Sequence, residues 1–156
     1  MLATVSFRLP GGEVVVAGPG ALIGRAFTAE VRLDTGRVSE AHALVSLRGG
    51  ELLALALRGR MRVEGRDVTR VPLRPGLALE LAPGTVLEVE SVALPDTVLA
   101  VEGPGVPRQI LVETTSVVSS PGLHLVRGAT EHAEALIWSD GLRWRARVGD
   151  GPVRTL

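Results

Sequence analysis

Apolar positions along this chain come in short runs that Gly and Pro interrupt again and again. Residues 4–9 alternate apolar with polar, the period of a strand with one buried face. Pro10-Gly11-Gly12 turns the chain into Glu13-Val14-Val15-Val16-Ala17, a hairpin partner, and Gly18-Pro19-Gly20 turns it again into Ala21-Leu22-Ile23. Residues 28–33 give another strand and Asp34-Thr35-Gly36-Arg37 a turn that presents Arg37 near Ser39. Residues 42–47 and 51–57 pair through Arg48-Gly49-Gly50. Leu52-Leu53-Ala54-Leu55-Ala56-Leu57 lacks alternation and could pass for helix, but its turn-bounded brevity predicts a buried strand. Residues 68–73, 78–81 and 86–90, with Arg74-Pro75-Gly76 and Ala82-Pro83-Gly84 between them, complete the set. Short strands at this spacing, with no amphipathic helix among them, predict an all-β sandwich. Its expected core holds Leu22, Val31, Leu33, Leu44, Val45, Leu53, Leu55, Val63, Leu79, Leu81, Leu87 and Val89.

A second segment starts near Leu94-Pro95-Asp96. Residues 97–102 and 108–113 read as strands around Gly103-Pro104-Gly105-Val106-Pro107, and residues 123–126 as another after Ser119-Ser120-Pro121-Gly122. Both tryptophans, Trp138 and Trp144, lie in one hairpin with an Asp140-Gly141 turn. The expected division is a sandwich over residues 1–95 and a smaller C-terminal β module over residues 96–156. That module reads as a partial repeat or a truncated domain. Ala41-His42-Ala43-Leu44-Val45, then Gly50 and Leu52, is echoed by Ala133-Glu134-Ala135-Leu136-Ile137, then Gly141 and Leu142, with Glu134 at the His42 place. The competing reading is a chance match between two apolar hairpins. The stop at Pro152-Val153-Arg154-Thr155-Leu156, without a following Pro-Gly, is what a fragment of a longer chain would give.

Composition narrows the chemistry. Of 156 residues, 46% are hydrophobic but only 3% aromatic, so the core is built from Val, Leu and Ala. Seventeen basic residues balance seventeen acidic ones, which argues against a general polyanion or nucleic-acid binder. Every basic residue is Arg, and Lys, Tyr and Asn are missing, the mark of GC-rich coding. With no Cys, disulfides, thiolate catalysis and Cys-based zinc sites are excluded. His42, His124 and His132 have no helical metal-ligand spacing, so no metal is expected. The N-terminus lacks the basic start and apolar core of a signal peptide, and no apolar run reaches the length of a membrane span. A cytoplasmic location is expected.

The densest chemistry lies between Leu22 and Val63. Gly24-Arg25 ends a strand, where Gly frees the backbone and Arg offers a planar fork to an oxyanion. Ser39 offers a hydroxyl on the next loop, before His42. Arg58, Arg60 and Arg62 alternate with Gly59, Met61 and Val63, and in an extended segment all three would project from one face. The bland alternatives are a surface ion pair for Arg25, a turn cap for Ser39, and a solvated face balanced by Glu64 and Asp67.

Gly24-Arg25, Ser39-x-x-His42-Ala43, Val63-Glu64-Gly65 and Leu73-Arg74-Pro75-Gly76, in that order across residues 4–92, resemble the motif series of the forkhead-associated (FHA) domain. The resemblance implies a two-sheet β-sandwich whose loops bind phosphothreonine peptides. By that resemblance Arg25 and Ser39 would contact phosphate and His42 would brace the loop from inside. From their own positions, Arg37 near Ser39, and Arg58 and Arg60 as replacements for the family's Asn, are further candidate anion or peptide contacts. Two departures stand out. The family's peptide-binding Asn falls at Gly59, with Arg60 at the neighbouring Gly, and Glu40 follows Ser39, where the family often has Arg. A carboxylate beside a phosphate site repels it.

No catalytic residues or cofactors are expected. The chain lacks a Gly-x-Ser-x-Gly elbow, a phosphate loop followed by a helix, and a paired acid and base. Two functions remain. One is a phosphothreonine-peptide-binding adaptor of a bacterial serine/threonine kinase pathway, with a phosphorylated protein, a kinase or its substrate as partner. The other is a degenerate FHA-like scaffold for phosphate-independent association with another protein or its own copy, through the Arg58/Arg60/Arg62 face or the tryptophan hairpin.

Overall fold

Every regular element among the described residues is a β-strand. The computed structural model describes residues 2–156; Met1, where the N-terminal reading above begins, lies outside them. The chain divides into a unit of Ala3–Leu94 and a unit that takes Pro95–Leu156.

The first unit holds β1 (Thr4–Arg8), β2 (Val14–Ala17), β3 (Leu22–Gly24), β4 (Val31–Arg32), β5 (Ala43–Arg48), β6 (Glu51–Ala56), β7 (Met61–Val63), β8 (Arg66–Val68), β9 (Arg70–Pro72), β10 (Ala78–Ala82) and β11 (Thr85–Ala93). These form one sheet in the order β2-β1-β11-β10-β7-β8 and another in the order β4-β3-β5-β6-β9. Only β3 and β4 run parallel. The core lies between the sheets. Val5, Phe7, Leu79, Leu87 and Val89 come from the first, and Ile23, Ala43, Val45, Leu52 and Ala54 from the second. Each large side chain fully buried here contributes about 1.5–3 kcal/mol.

Several expectations are corrected. Leu22, Leu44, Leu55 and Val63 are only half-buried. Leu22 pairs with Leu44, and Leu44 with Leu55, so all three point to the outer face of their sheet. The inner positions belong to Ile23, Ala43 and Ala54, each 0% exposed. Alternation along a strand makes this an all-or-none choice of face. Val63 ends the short strand β7, one pleat beyond the buried Met61. The single strand expected over residues 68–73 is two strands in different sheets, with the chain changing sheets at Thr69. The strand expected over residues 28–33 shrinks to Val31–Arg32.

The second unit holds a hairpin of β12 (Ala100–Gly103) and β13 (Val106–Ile110). A five-stranded sheet follows, from β14 (Thr115–Val118), β15 (His124–Arg127), β16 (Ala135–Ser139), β17 (Trp144–Val148) and β18 (Arg154–Thr155), in the order β15-β14-β16-β17-β18. Sequence reasoning missed β14 because its polar residues mask it. Ser116 is fully buried, and its hydroxyl donates to the Gly128 carbonyl (2.8 Å) while accepting from the Thr130 amide (3.0 Å). A satisfied hydroxyl carries little burial cost. In the tryptophan hairpin the two turn residues are Gly141 and Leu142, and Asp140 caps the turn rather than occupying it. No helix among the described residues is long and apolar enough to cross a membrane.

Candidate functional site

The site begins with a close approach of backbones. Beyond β3 the chain runs beside the Ser39-Glu40 segment, with the Arg25 amide donating to the Ser39 carbonyl (3.0 Å) and the Ala26 amide to the Glu40 carbonyl (3.2 Å). Gly24 makes this possible. A Cβ there would overlap the Glu40 carbonyl and press on the Ser39 carbonyl at 2.9 Å. Arg25 is thereby delivered to the rim beside Ser39, and its Nε donates to the Val38 carbonyl at 3.3 Å.

His42 ties two loops to β3. It is 2% exposed, and its own amide donates to the Ile23 carbonyl (3.0 Å) while its carbonyl accepts from the Leu57 amide (2.9 Å). The ring Nδ1 accepts from the Ser39 amide (3.2 Å), which places the ring proton on Nε2. Nε2 then donates to the Arg60 carbonyl at 2.7 Å. Ser39 Oγ reaches the Arg58 carbonyl at 3.4 Å. One buried imidazole thus fixes the Ser39 loop against the Arg58-Gly59-Arg60 bend.

Gly59 sits directly on that ring: a Cβ would fall among the His42 ring atoms. The position where the resemblance puts Asn therefore has no room for a side chain in this backbone. The histidine clamp occupies the space.

The arginines part company. Strand β7 begins only at Met61, so Arg58 and Arg60 lie on a bend rather than in the extended face expected of Arg58, Arg60 and Arg62. Arg58 is exposed. The Arg60 guanidinium, 89% exposed, lies 3.9 Å from Asp67, and Arg62 lies 3.2 Å from Asp67 and 4.0 Å from Glu80. These pairs line an open cavity of about 310 Å³ floored by Leu81, Ala82 and Pro83. Arg37 closes the circle by donating to the Pro83 carbonyl at 3.4 Å. Arg25 is loosely countered by Glu40 at 3.7 Å, both side chains being well exposed. Such a pair is worth about 0.2–1 kcal/mol and leaves the guanidinium available.

One residue escaped sequence reasoning. Phe27 follows Arg25 by two positions and is 86% exposed, with the Arg32 guanidinium 5.4 Å from its ring centroid. A Phe just beyond Gly24-Arg25-Ala26, in a chain with two Phe, was the available signal. No group of three or more His, Cys, Asp or Glu among the described residues could hold a metal ion.

Solved structures resemble this chain closely enough to decide the fold. A phosphothreonine-dependent FHA domain matches it at 25% identity and a TM-score of 0.51, over 58% of this chain and 99% of its own. The chain carries an FHA-like fold. The FhaA FHA domain, solved with the intracellular domain of Rv3910, matches at 24% identity and a TM-score of 0.50, over 55% and 99% of the two chains. FHA-1 of Mycobacterium tuberculosis Rv1747 gives 22% and 0.50, over 58% and 100%. No protein-family model and no curated protein matches the chain. The matched share is about the length of the first unit.

Proposed function

We propose that the first unit is a phosphothreonine-peptide-binding module that serves a bacterial serine/threonine kinase pathway in the cytoplasm, with a phosphorylated protein as partner. The observation that carries this reading is the His42 clamp. By bonding both the Ser39 amide and the Arg60 carbonyl, it holds the Ser39 loop, to which the Arg25 amide is bonded, against the bend bearing Arg58 and Arg60. A guanidinium fork, a hydroxyl and further arginines at one rim suit an oxyanion. The likeness to a phosphothreonine-dependent FHA domain supports the same reading. Phosphate would sit on Arg25 and Ser39, and the peptide would run past Arg58 and Arg60, with Arg37 and Phe27 at its flanks. The unit acts by binding and carries no catalysis.

A second reading has its own support. Glu40 stands against Arg25, and Gly59 offers no side chain to a peptide. Both suit an FHA-like scaffold that associates without phosphate. Calorimetric titration of Arg25→Ala with a phosphothreonine peptide separates the two. The phosphate reading expects a charge-assisted contact worth ~1.5–3 kcal/mol to be lost, a fall in affinity of roughly ten- to a hundred-fold. Unchanged affinity with the fold intact leaves the scaffold.

A further inference from the structure

The two five-stranded sheets, β4-β3-β5-β6-β9 and β15-β14-β16-β17-β18, place their strands in the same order along the chain: second, first, third, fourth, fifth. Each follows an antiparallel hairpin, β1–β2 in one unit and β12–β13 in the other. Shared order alone would be weak support. Register is the decisive comparison, because a sheet can pair its strands at many offsets.

The hairpins β5–β6 and β16–β17 coincide residue by residue. Ala43 faces Ala56 and Arg48 faces Glu51 around Gly49-Gly50. Ala135 faces Val148, and the Asp140 amide bonds the Arg143 carbonyl around Gly141-Leu142. On one side Ile23 faces Ala43 as Val117 faces Ala135. The His42 amide bonds the Ile23 carbonyl (3.0 Å), and the Glu134 amide bonds the Val117 carbonyl (2.9 Å). Below them the Leu57 amide bonds the His42 carbonyl (2.9 Å) as Gly149 bonds Glu134 (2.7 Å). On the far side Leu53 faces Pro72 as Arg145 faces Thr155, and the Leu73 amide bonds Leu52 (2.8 Å) as Leu156 bonds Trp144 (3.0 Å). This register sets Gly141 opposite Gly49, not Gly50, and Trp144 opposite Leu52, which corrects the later half of the echo seen in sequence.

We infer that the second unit is a second copy of the sheet that carries the candidate site, with its phosphate-reading groups removed. The second half of that inference rests on the function proposed for the first unit. The place of His42 is taken by Glu134 and that of Ser39 by Glu131. Ser119, two residues beyond Val117, stands where Arg25 stands beyond Ile23. Between β6 and β9 the first unit inserts β7 and β8 with Arg58, Arg60 and Arg62, whereas β17 and β18 are joined only by Gly149-Asp150-Gly151-Pro152-Val153. Where the first unit presents Arg25, Arg58 and Arg60, the second presents Glu131, Glu134 and Asp150, and these carboxylates repel phosphate. The sheets differ at one edge: β4 runs parallel to β3, while β15 runs antiparallel to β14. The segment between β3 and β5, which carries Arg25, Arg37 and Ser39, has been rebuilt along with the site.

The chain contains no cysteine, so engineered disulfides can map this register on the intact protein. Ala135→Cys with Val148→Cys, and Arg145→Cys with Thr155→Cys, place thiols on residues directly opposite each other, within reach of a disulfide. Both pairs are expected to crosslink, and the slipped pairs Ala135→Cys/Arg147→Cys and Arg145→Cys/Arg154→Cys are not. Crosslinking of the slipped pairs, or of neither set, overturns the copy. Titration of the intact chain with a phosphothreonine peptide is expected to give one site per chain, lost in Arg25→Ala. A second site that survives Arg25→Ala overturns the loss of phosphate reading in the second unit. No binding at all overturns the function proposed for the first unit and leaves the copy to the crosslinks.

Discussion

At His42 and at Glu134 the backbone does the same thing, accepting one strand's amide and donating to another, yet the side chains lead opposite lives. His42 is buried and bonded through both ring nitrogens. Glu134 is exposed, and its carboxylate accepts from the Ser119 hydroxyl. The inner faces differ in the same way. Ala43, Val45 and Ala54 are wholly buried between two sheets, whereas of their counterparts only Ile137 is buried and Ala135 and Ala146 are half-buried. The backbone pattern alone therefore makes a sheet. A site arises where a buried polar side chain fixes the loops beyond the strand ends, which requires a closed sandwich around it.

Removing the clamp is the sharpest way to break this contrast. His42→Ala removes a buried ring and takes the partner from the part-buried Ser39 amide and Arg60 carbonyl, at a cost of about 1–3 kcal/mol. Glu134→Ala, at an exposed position, is expected to change stability by less than about 0.5 kcal/mol. Denaturant unfolding of the two variants measures both, and equal losses would erase the distinction.

Gly59→Asn comes next in size. It restores the residue type that the resemblance calls for, yet its Cβ would meet the His42 ring, so the loop must move. Overpacking of this kind costs about 1–3 kcal/mol. A lower unfolding temperature without tighter peptide binding is expected.

That clash also marks the limit of what could be read from sequence. Gly and Pro punctuation places the strands because turns need particular dihedrals, and Gly24-Arg25 with Ser39-x-x-His42 points to the loops that meet. Which face a strand buries is harder to read. In Leu52-Leu53-Ala54-Leu55-Ala56 every position is apolar, so the pattern does not say that Leu52 and Ala54 face the core while Leu55 faces outward. The bend at Arg58-Gly59-Arg60 was illegible for a different reason. Its shape is set by a histidine sixteen or more positions earlier, and no local pattern records that.

Glu40→Gln should act more gently. Removing an exposed carboxylate 3.7 Å from Arg25 is worth about 0.2–1 kcal/mol to an incoming anion, up to roughly five-fold in affinity. The gain should shrink as salt is added, since exposed charges are screened. Competition calorimetry at low and high salt reads both.

The smallest effect belongs to the second unit. Asp140 accepts from the Arg143 amide, the Arg145 guanidinium and the Leu142 amide, which hold its pKa at about 2. A carboxylate lowered on folding stabilises above its unfolded pKa, roughly 3.9, and loses that contribution as pH falls through the folded value. The hairpin should therefore be indifferent to pH above about 4 and loosen as pH falls toward 2. Both tryptophans lie in this hairpin, so fluorescence during an acid titration reports it.

Whether the His42-clamped rim of the first unit reads phosphate is decided by one pair of titrations. The intact chain is titrated with a phosphothreonine peptide and with the same peptide lacking phosphate. Phosphate is expected to strengthen binding by at least roughly ten-fold, with the gain abolished in Arg25→Ala. Equal affinity for the two peptides would contradict it.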